Sequence, residues 1–211
     1  MMKQKHFIDF HKGITFIYIL MLINFYSAFD NTTIWIYLGL HGTYGILWVL
    51  KSFIFPDKTW DQKTNFAYGL VILSGLSLYW ISPWLIVSGY FNEGDMIVAP
   101  NWLISIVIFM FGLGVFLHFS SDMQKHTILK TNPGTLISDG LFKRSRNINY
   151  FGELFIYLSF ALLAMHWTPI LILAVFMIIV WVPNMLRKDK SLSRYKEFED
   201  YKNKSRMFFP F

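Results

Sequence analysis

The sequence predicts an all-α fold, a polytopic membrane helix bundle with about six transmembrane helices and both termini cytoplasmic. Three observations carry that expectation. Of the 211 residues, 55% are hydrophobic, 19% aromatic and 15% charged, whereas a soluble domain is about 45–50% apolar and about 25% charged. Six stretches are apolar over roughly the 20 residues that a helix needs to cross a hydrocarbon core about 30 Å thick. The 19 Lys and Arg avoid every second connection between those stretches. This composition excludes a disordered chain, a collagen and a nucleic-acid-binding domain. The chain has no cysteine, which excludes disulfides, thiolate metal sites, thiol catalysis and lipidation of a thiol.

The expected spans are 13–29, 33–55, 65–90, 102–119, 150–167 and 168–186. Lys3, Lys5 and Lys12 precede the first, as in a signal peptide, but the apolar run is long and no small-x-small cleavage site follows it. The third span carries Pro83, which predicts a kink or an ending in a short interfacial piece at Trp84–Tyr90. Between the fifth and sixth only His166-Trp167-Thr168-Pro169 intervenes, a tight turn between antiparallel helices. In the tail, Leu192, Tyr195, Phe198 and Tyr201 recur every three residues among charges, the pattern of a short amphipathic helix on the membrane surface.

Orientation follows from the basic residues. They sit before span one, between spans two and three (Lys51, Lys58, Lys63), between spans four and five (Lys125, Lys130, Lys143, Arg144, Arg146) and after span six. The connections 30–32, 91–101 and 166–168 hold none, and the middle one carries Glu93 and Asp95. The net charge of +6 is therefore a matter of topology, not of nucleic-acid binding.

Ionisable groups near membrane depth are costly and face a cavity or a partner. His118, Asp122, Lys125 and His126 share one helix face at i, i+4, i+7 and i+8. There Asp122 suits a ribose or amide and Lys125 a phosphate; the structural reading is an interfacial ion pair closing a span. Arg146, Asn149, Glu153 and Tyr157 line another face, with Glu153 about one turn inside an apolar run. It is either a binding group or a helix–helix fastener held by Arg146 or Lys125. In span two, Tyr37, His41, Tyr44 and Trp48 form a stripe flanked by Gly39, Gly42 and Gly45. A Tyr or His here suits carbonyl polarisation or proton supply, and aromatic bundle packing is the competing account. Gly112-x-Gly114 lies in an apolar helix and is a weak dinucleotide signal. No His-x-x-x-His or Glu-x-x-His pair points to a metal, and the span centres lack the charges of an ion pump or channel. Asn31-Thr32-Thr33 is a formal glycosylation sequon.

Several stretches from Trp102 onward occur in a specific order: Ser121-Asp122-Met123-Gln124-Lys125, Gly140-Leu141-Phe142, Asn149-Tyr150-Phe151-Gly152-Glu153, and Phe198-Glu199-Asp200-Tyr201 through Lys204-Ser205-Arg206 to Pro210-Phe211. Together they resemble the C-terminal half of the steroid 5-alpha-reductase family, whose bacterial relatives share a superfamily with isoprenylcysteine carboxyl methyltransferases and sterol reductases. More weakly, His41-Gly42-Thr43-Tyr44 resembles a His-Arg-Thr-aromatic run in that family. The resemblance implies one membrane domain over 1–211, with a three-helix part at 1–101 and a reductase-like part at 102–211 that holds the cofactor pocket. It implies NADPH entering from the cytoplasmic side and reduction of an enone in a lipid-soluble, sterol-like or isoprenoid substrate. Asp122, Asn149 and Glu153 would line the cofactor pocket, with Lys125, Arg187 and Lys190 suited to its phosphates and His118 and Arg146 on the same faces.

The substrate end departs from the family. The span that should carry its Gln-Glu pair offers Asn24, Tyr26 and Ser27, and Gly42 and Gly39 stand where the family has Arg and Tyr. Tyr44 and Tyr37, with His41, are the candidates for polarising a carbonyl or giving a proton. The alternatives are a membrane methyltransferase using S-adenosylmethionine and a non-catalytic bundle. The first usually shows Arg-His-Pro where this chain has Arg146-Asn147-Ile148. Membrane lipids and a lipid-soluble small molecule are the expected partners, without nucleic acid or metal. The expected location is a bacterial inner membrane or the endoplasmic reticulum.

Overall fold

The computed structural model describes residues 2–211, which are all-helical apart from turns and two isolated bridges, Lys3 with Lys63 and Ser145 with Arg206. The helices are α1 (Gln4–Phe25), α2 (Thr32–Ile54), α3 (Phe66–Ser77), α4 (Ile81–Ser88), α5 (Asn101–Thr131), α6 (Ile148–Leu163), α7 (Trp167–Phe176), α8 (Val182–Leu192) and α9 (Phe198–Lys204). Five segments are long and apolar enough to cross a membrane: α1, α2, α3 with α4, α5, and α7 with α8. The chain is an integral membrane protein. The two composite segments stay continuous through a proline by changing helix type beforehand. A 3-10 turn at Leu78–Trp80 precedes Pro83, and a π turn at Met177–Trp181 precedes Pro183. Each relieves the clash between the proline ring and the carbonyl four residues back. The third span thus runs on past Pro83 and ends at Ser88, where Gly89 takes φ 60°.

Other boundaries differ from those the hydropathy predicts. Helix α1 starts at Gln4, not near 13, because its first turns have a partner. Lys3 and Lys5 grip Asp61 at 3.2 and 2.9 Å, and Gln4 donates to the carbonyl of Gln62. Helix α5 runs 31 residues, to Thr131 rather than 119, about 46 Å at 1.5 Å per residue, so its last turns project beyond the hydrocarbon. Helix α6 has only 16 residues, about 24 Å. The tail is not one surface helix. Helix α8 ends at Leu192, and the buried Phe198 and Tyr201 of α9 turn inward, with the Tyr201 hydroxyl donating to the Phe142 carbonyl at 2.7 Å. Burial pushes that phenol up to about 12. The sequon asparagine is engaged too: Asn31 is buried, caps α2 by accepting from Ile34 N–H, and donates to the Ile97 carbonyl.

The described chain divides into two compact units, residues 1–109 with 158–172, and residues 110–157 with 173–211. The division falls later than 101, and the end of α6 with the start of α7 goes with the N-terminal helices. In the first unit α1 packs along α2 so closely that a Cβ on Gly45 would lie 2.4 Å from the Lys12 carbonyl oxygen. In the second, α5 and α6 meet backbone to backbone. A Cβ on Gly152 would lie 2.5 Å from the His118 nitrogen, and one on Gly114 would lie 2.7 Å from the Gly152 oxygen. Small residues allow this approach, which drives helix association where lipid offers no hydrophobic force.

Candidate functional site

The α2 stripe forms a buried aromatic and polar cluster within the first unit. Tyr37 and Tyr44 are fully buried, and His41 nearly so. Tyr37 Oη and His41 Nδ1 are 3.1 Å apart, and Ser82 on α4 is a second partner of the Tyr37 hydroxyl. The His41 ring stacks on Phe160 with centroids 4.2 Å apart and 2° between planes. This contact fixes the imidazole so that its Nδ1 meets the tyrosine. Beside them, Lys12 of α1 is 3% exposed and sets its ammonium 4.4 Å over the Tyr44 ring and 5.1 Å over Trp48. Lys51 lies 4.8 Å over Trp48, whose indole N–H donates to Asp9. His11, one turn before Thr15, stacks on Trp80 at 4.8 Å with both ring nitrogens buried and unbonded.

Lys12 and His11 belong to this cluster, although the sequence alone does not group them with it. In the sequence the first reads as a flanking charge and the second lies outside the expected span. The signal was present: Phe7, Ile8, His11, Lys12 and Thr15, all buried, fall on one face of α1.

The second unit gathers the other candidates. His118 Nδ1 sits 3.1 Å from the Asn149 carbonyl oxygen, and His118 Nε2 lies 3.9 Å from Asp122 Oδ2. The Gly114–Gly152 contact brings these residues of α5 and α6 together and sets Glu153 beside that crossing. The Asn149 side-chain oxygen is buried without a hydrogen-bond partner, a costly state unless something donates to it. Lys125 is half-buried on α5, and Arg187 and Lys190 are exposed on α8.

Arg146 points elsewhere. Its guanidinium binds Asp189 through Nε at 3.0 Å and Nη2 at 2.8 Å, and Nη1 donates to the Ser205 carbonyl at 2.8 Å. It fastens α8 and the end of α9 to residues 144–147, where Asn147 and Ser145 also donate to the carbonyls of Met207 and Phe208. Tyr37, His41 and Tyr44 thus belong to one unit and His118, Asp122, Asn149 and Glu153 to the other. Among the described residues no group of three or more His, Cys, Asp or Glu could hold a metal ion.

No curated protein matches the chain. A family model described as "Protein of unknown function (DUF1295)" matches residues 1–206, nearly the whole length and both units, and the chain belongs to that family.

Proposed function

We propose that the protein is an NADPH-dependent membrane reductase of a carbon–carbon double bond conjugated to a carbonyl, in a sterol-like or isoprenoid lipid. The observation that supports this most is the α5–α6 crossing. There a buried amide oxygen of Asn149 lacks a donor, Asp122, His118 and Glu153 stand close in the fold, and Lys125 supplies positive charge. These groups fit a nucleotide with an amide or ribose hydroxyls to donate and phosphates to neutralise. The resemblance to the steroid 5-alpha-reductase family rests on the same residues. NADPH, when bound, supplies hydride to the β-carbon of the enone.

The chain's own part is binding and proton chemistry. Asn149, Asp122 and Glu153 hold polar groups of the cofactor, while Lys125, Arg187 and Lys190 meet its phosphates. In the first unit, Tyr37 hydrogen-bonds His41 at 3.1 Å, which suits the pair to giving a proton or polarising a carbonyl. The ammonium of Lys12 lies 4.4 Å over the Tyr44 ring and holds it in place, and the Tyr44 hydroxyl is suited to polarising the carbonyl as a hydrogen-bond donor. Burial of this cluster among α1, α2 and Phe160 excludes water. The basic connections favour a cytoplasmic cofactor side.

The test is a thermal-shift series on detergent-purified protein with NADPH, NADH and S-adenosylmethionine. A ligand that binds only the folded state raises its stability, by about 2.7 kcal/mol at a hundredfold excess over Kd. NADPH is expected to stabilise the protein. Glu153→Gln and Lys125→Ala are expected to leave it folded and to weaken NADPH by about tenfold each, the value of a charge-assisted hydrogen bond near 1.4 kcal/mol. Stabilisation by S-adenosylmethionine alone would replace the reading with methyl transfer. Silence from all three would leave a non-catalytic bundle.

A further inference from the structure

The Lys- and Arg-free end of the first unit contains a cavity of about 300 Å³, at the small end of the range for ligand pockets. It is distinct from the tyrosine cluster. Its walls are Leu85 of α4, Phe91, Asn92, Ile97 and Val98 of the connection before α5, and Met165 and His166 of the turn before α7. The start of α2 lies at this end, and Lys51 sits some 19 residues along the helix, about 28 Å away.

The walls are fixed. Ile97 N–H donates to the Ile86 carbonyl at 2.8 Å, Asn31 Nδ2 to the Ile97 carbonyl at 3.0 Å, and Ala99 N–H to Thr33 Oγ1 at 2.8 Å. The cavity is therefore preformed rather than a gap under a loose loop. Exposed Tyr90 and Trp167 adjoin the lining residues Phe91 and His166 in the chain, and such amphipathic aromatics settle at a membrane–water interface. Met165 holds a left-handed backbone at φ 46°, unusual for a side chain of its size.

The chemistry of the walls selects the ligand. His166 stacks face to face on Phe91, centroids 4.5 Å apart and 5° between planes. Its Nδ1 accepts the Thr168 N–H at 3.2 Å, so the neutral ring carries its proton on Nε2, which has no partner among the described residues. The site thus offers the His166 donor and the Asn92 amide, whose nitrogen already donates to the Asp95 carbonyl, beside the apolar side chains of Leu85, Phe91, Ile97, Val98 and Met165. The two connections that build it contain no Lys or Arg and carry Glu93 and Asp95, which disfavours a phosphate.

We propose that this cavity binds a neutral lipid of isoprenoid size through a single hydroxyl or carbonyl oxygen, which accepts a hydrogen bond from His166 Nε2 while the carbon skeleton lies against Leu85, Phe91 and Met165. The proposal does not rest on the reductase reading, because every residue in it lies outside the groups assigned to cofactor and proton transfer.

The experiment uses the full chain in phosphatidylcholine nanodiscs and a diazirine-bearing farnesol as photoprobe, with labelled peptides mapped by mass spectrometry. Labelling is expected to concentrate on residues 85–98 and 165–167. Farnesol should compete, and farnesane, which lacks the oxygen, and farnesyl phosphate should each compete at least fivefold less well. Val98→Trp, which fills the cavity from an exposed position, is expected to cut labelling at least fivefold. His166→Phe keeps the stacked ring, removes the donor, and should weaken farnesol about fivefold. Should that variant misfold, Val98→Trp alone decides. Labelling spread evenly over lipid-facing helices, labelling unchanged in the folded variants, or competition by the phosphate equal to that by farnesol would each overturn the proposal.

Discussion

Lys12 shows how one residue can carry two meanings. In the sequence it is one of three lysines before an apolar run and reads as a flanking charge. In the fold it is buried and lies over two aromatic rings. Spacing finds that tyrosines and histidines share a helix face, but it does not say which face of the neighbouring helix they meet. His41 against Tyr37 was therefore legible at i, i+4, while Lys12, His11 and Phe160 were not. Arg146 misleads in the opposite direction, since its helical spacing groups it with Asn149 and its long side chain reaches Asp189 and Ser205 instead. Arg146→Ala is expected to destabilise the tail by about 3 kcal/mol, since it strands a mostly buried carboxylate. Limited proteolysis should then cleave after Lys202 or Lys204 at least tenfold faster, and no change would mean the ion pair does not hold the tail. The Asp61 clasp responds to pH. Hydrogen bonds from Lys5 and then Lys3 hold its carboxyl below the usual carboxylate range. A depressed pKa means the contribution is present above the ordinary carboxylate value and is lost as pH falls through the lowered one. Amide exchange at Gln4 and Thr64 is expected to be flat from pH 8 to 5, once corrected for intrinsic rates, and to accelerate only below about pH 4. Acceleration already at pH 6 would show that another group controls the contact.

At the scale of elements, hydropathy located the apolar centres well and the ends poorly. The reason is that ends are set by partners that hydropathy does not see. Helix α1 gains its first nine residues from contacts with residues 61–64, and α5 gains its last turns because Gln124 accepts from Leu141 N–H and donates to the Asp139 carbonyl. The glycines were legible as a class but not individually. Gly112 and Gly114 look alike in sequence, yet nothing lies within 4 Å of a Cβ on Gly112, whereas a Cβ on Gly114 or Gly152 would strike the facing backbone. Gly112→Ala is expected to be neutral or stabilising by up to about 1 kcal/mol, through helix propensity. Gly152→Ala should push α5 and α6 apart, lower the melting temperature by several degrees and weaken whatever ligand the Asn149 amide holds. Equal effects of the two substitutions would show that the α5–α6 contact is looser than the backbone geometry requires.

At the scale of the whole chain, charge and length make competing statements about topology, and one experiment separates them. Five segments are long enough to span; if only these cross, the two termini lie on opposite sides of the membrane. The basic residues require a sixth crossing by α6, because Lys143, Arg144 and Arg146 precede it, 166–168 hold no Lys or Arg, and eight more follow from Arg187 onward. At about 24 Å, α6 falls short of a 30 Å core, but a short apolar helix can cross where the bilayer thins locally or flanking residues reach the interface, at a modest cost per ångström. Placing the eight Lys and Arg of the tail on the side opposite to the other basic clusters has no such compensation. The sixth crossing is therefore favoured, with both termini cytoplasmic. The absence of cysteine makes the test clean, since a single introduced thiol is the only one present. Asp95→Cys and Asn203→Cys each place it at an exposed position. A membrane-impermeant maleimide added to intact cells is expected to label the first at once and the second only after permeabilisation. Labelling of both from outside would mean that α6 does not cross, and would move the tail, with Arg187 and Lys190, to the side away from cytoplasmic nucleotides.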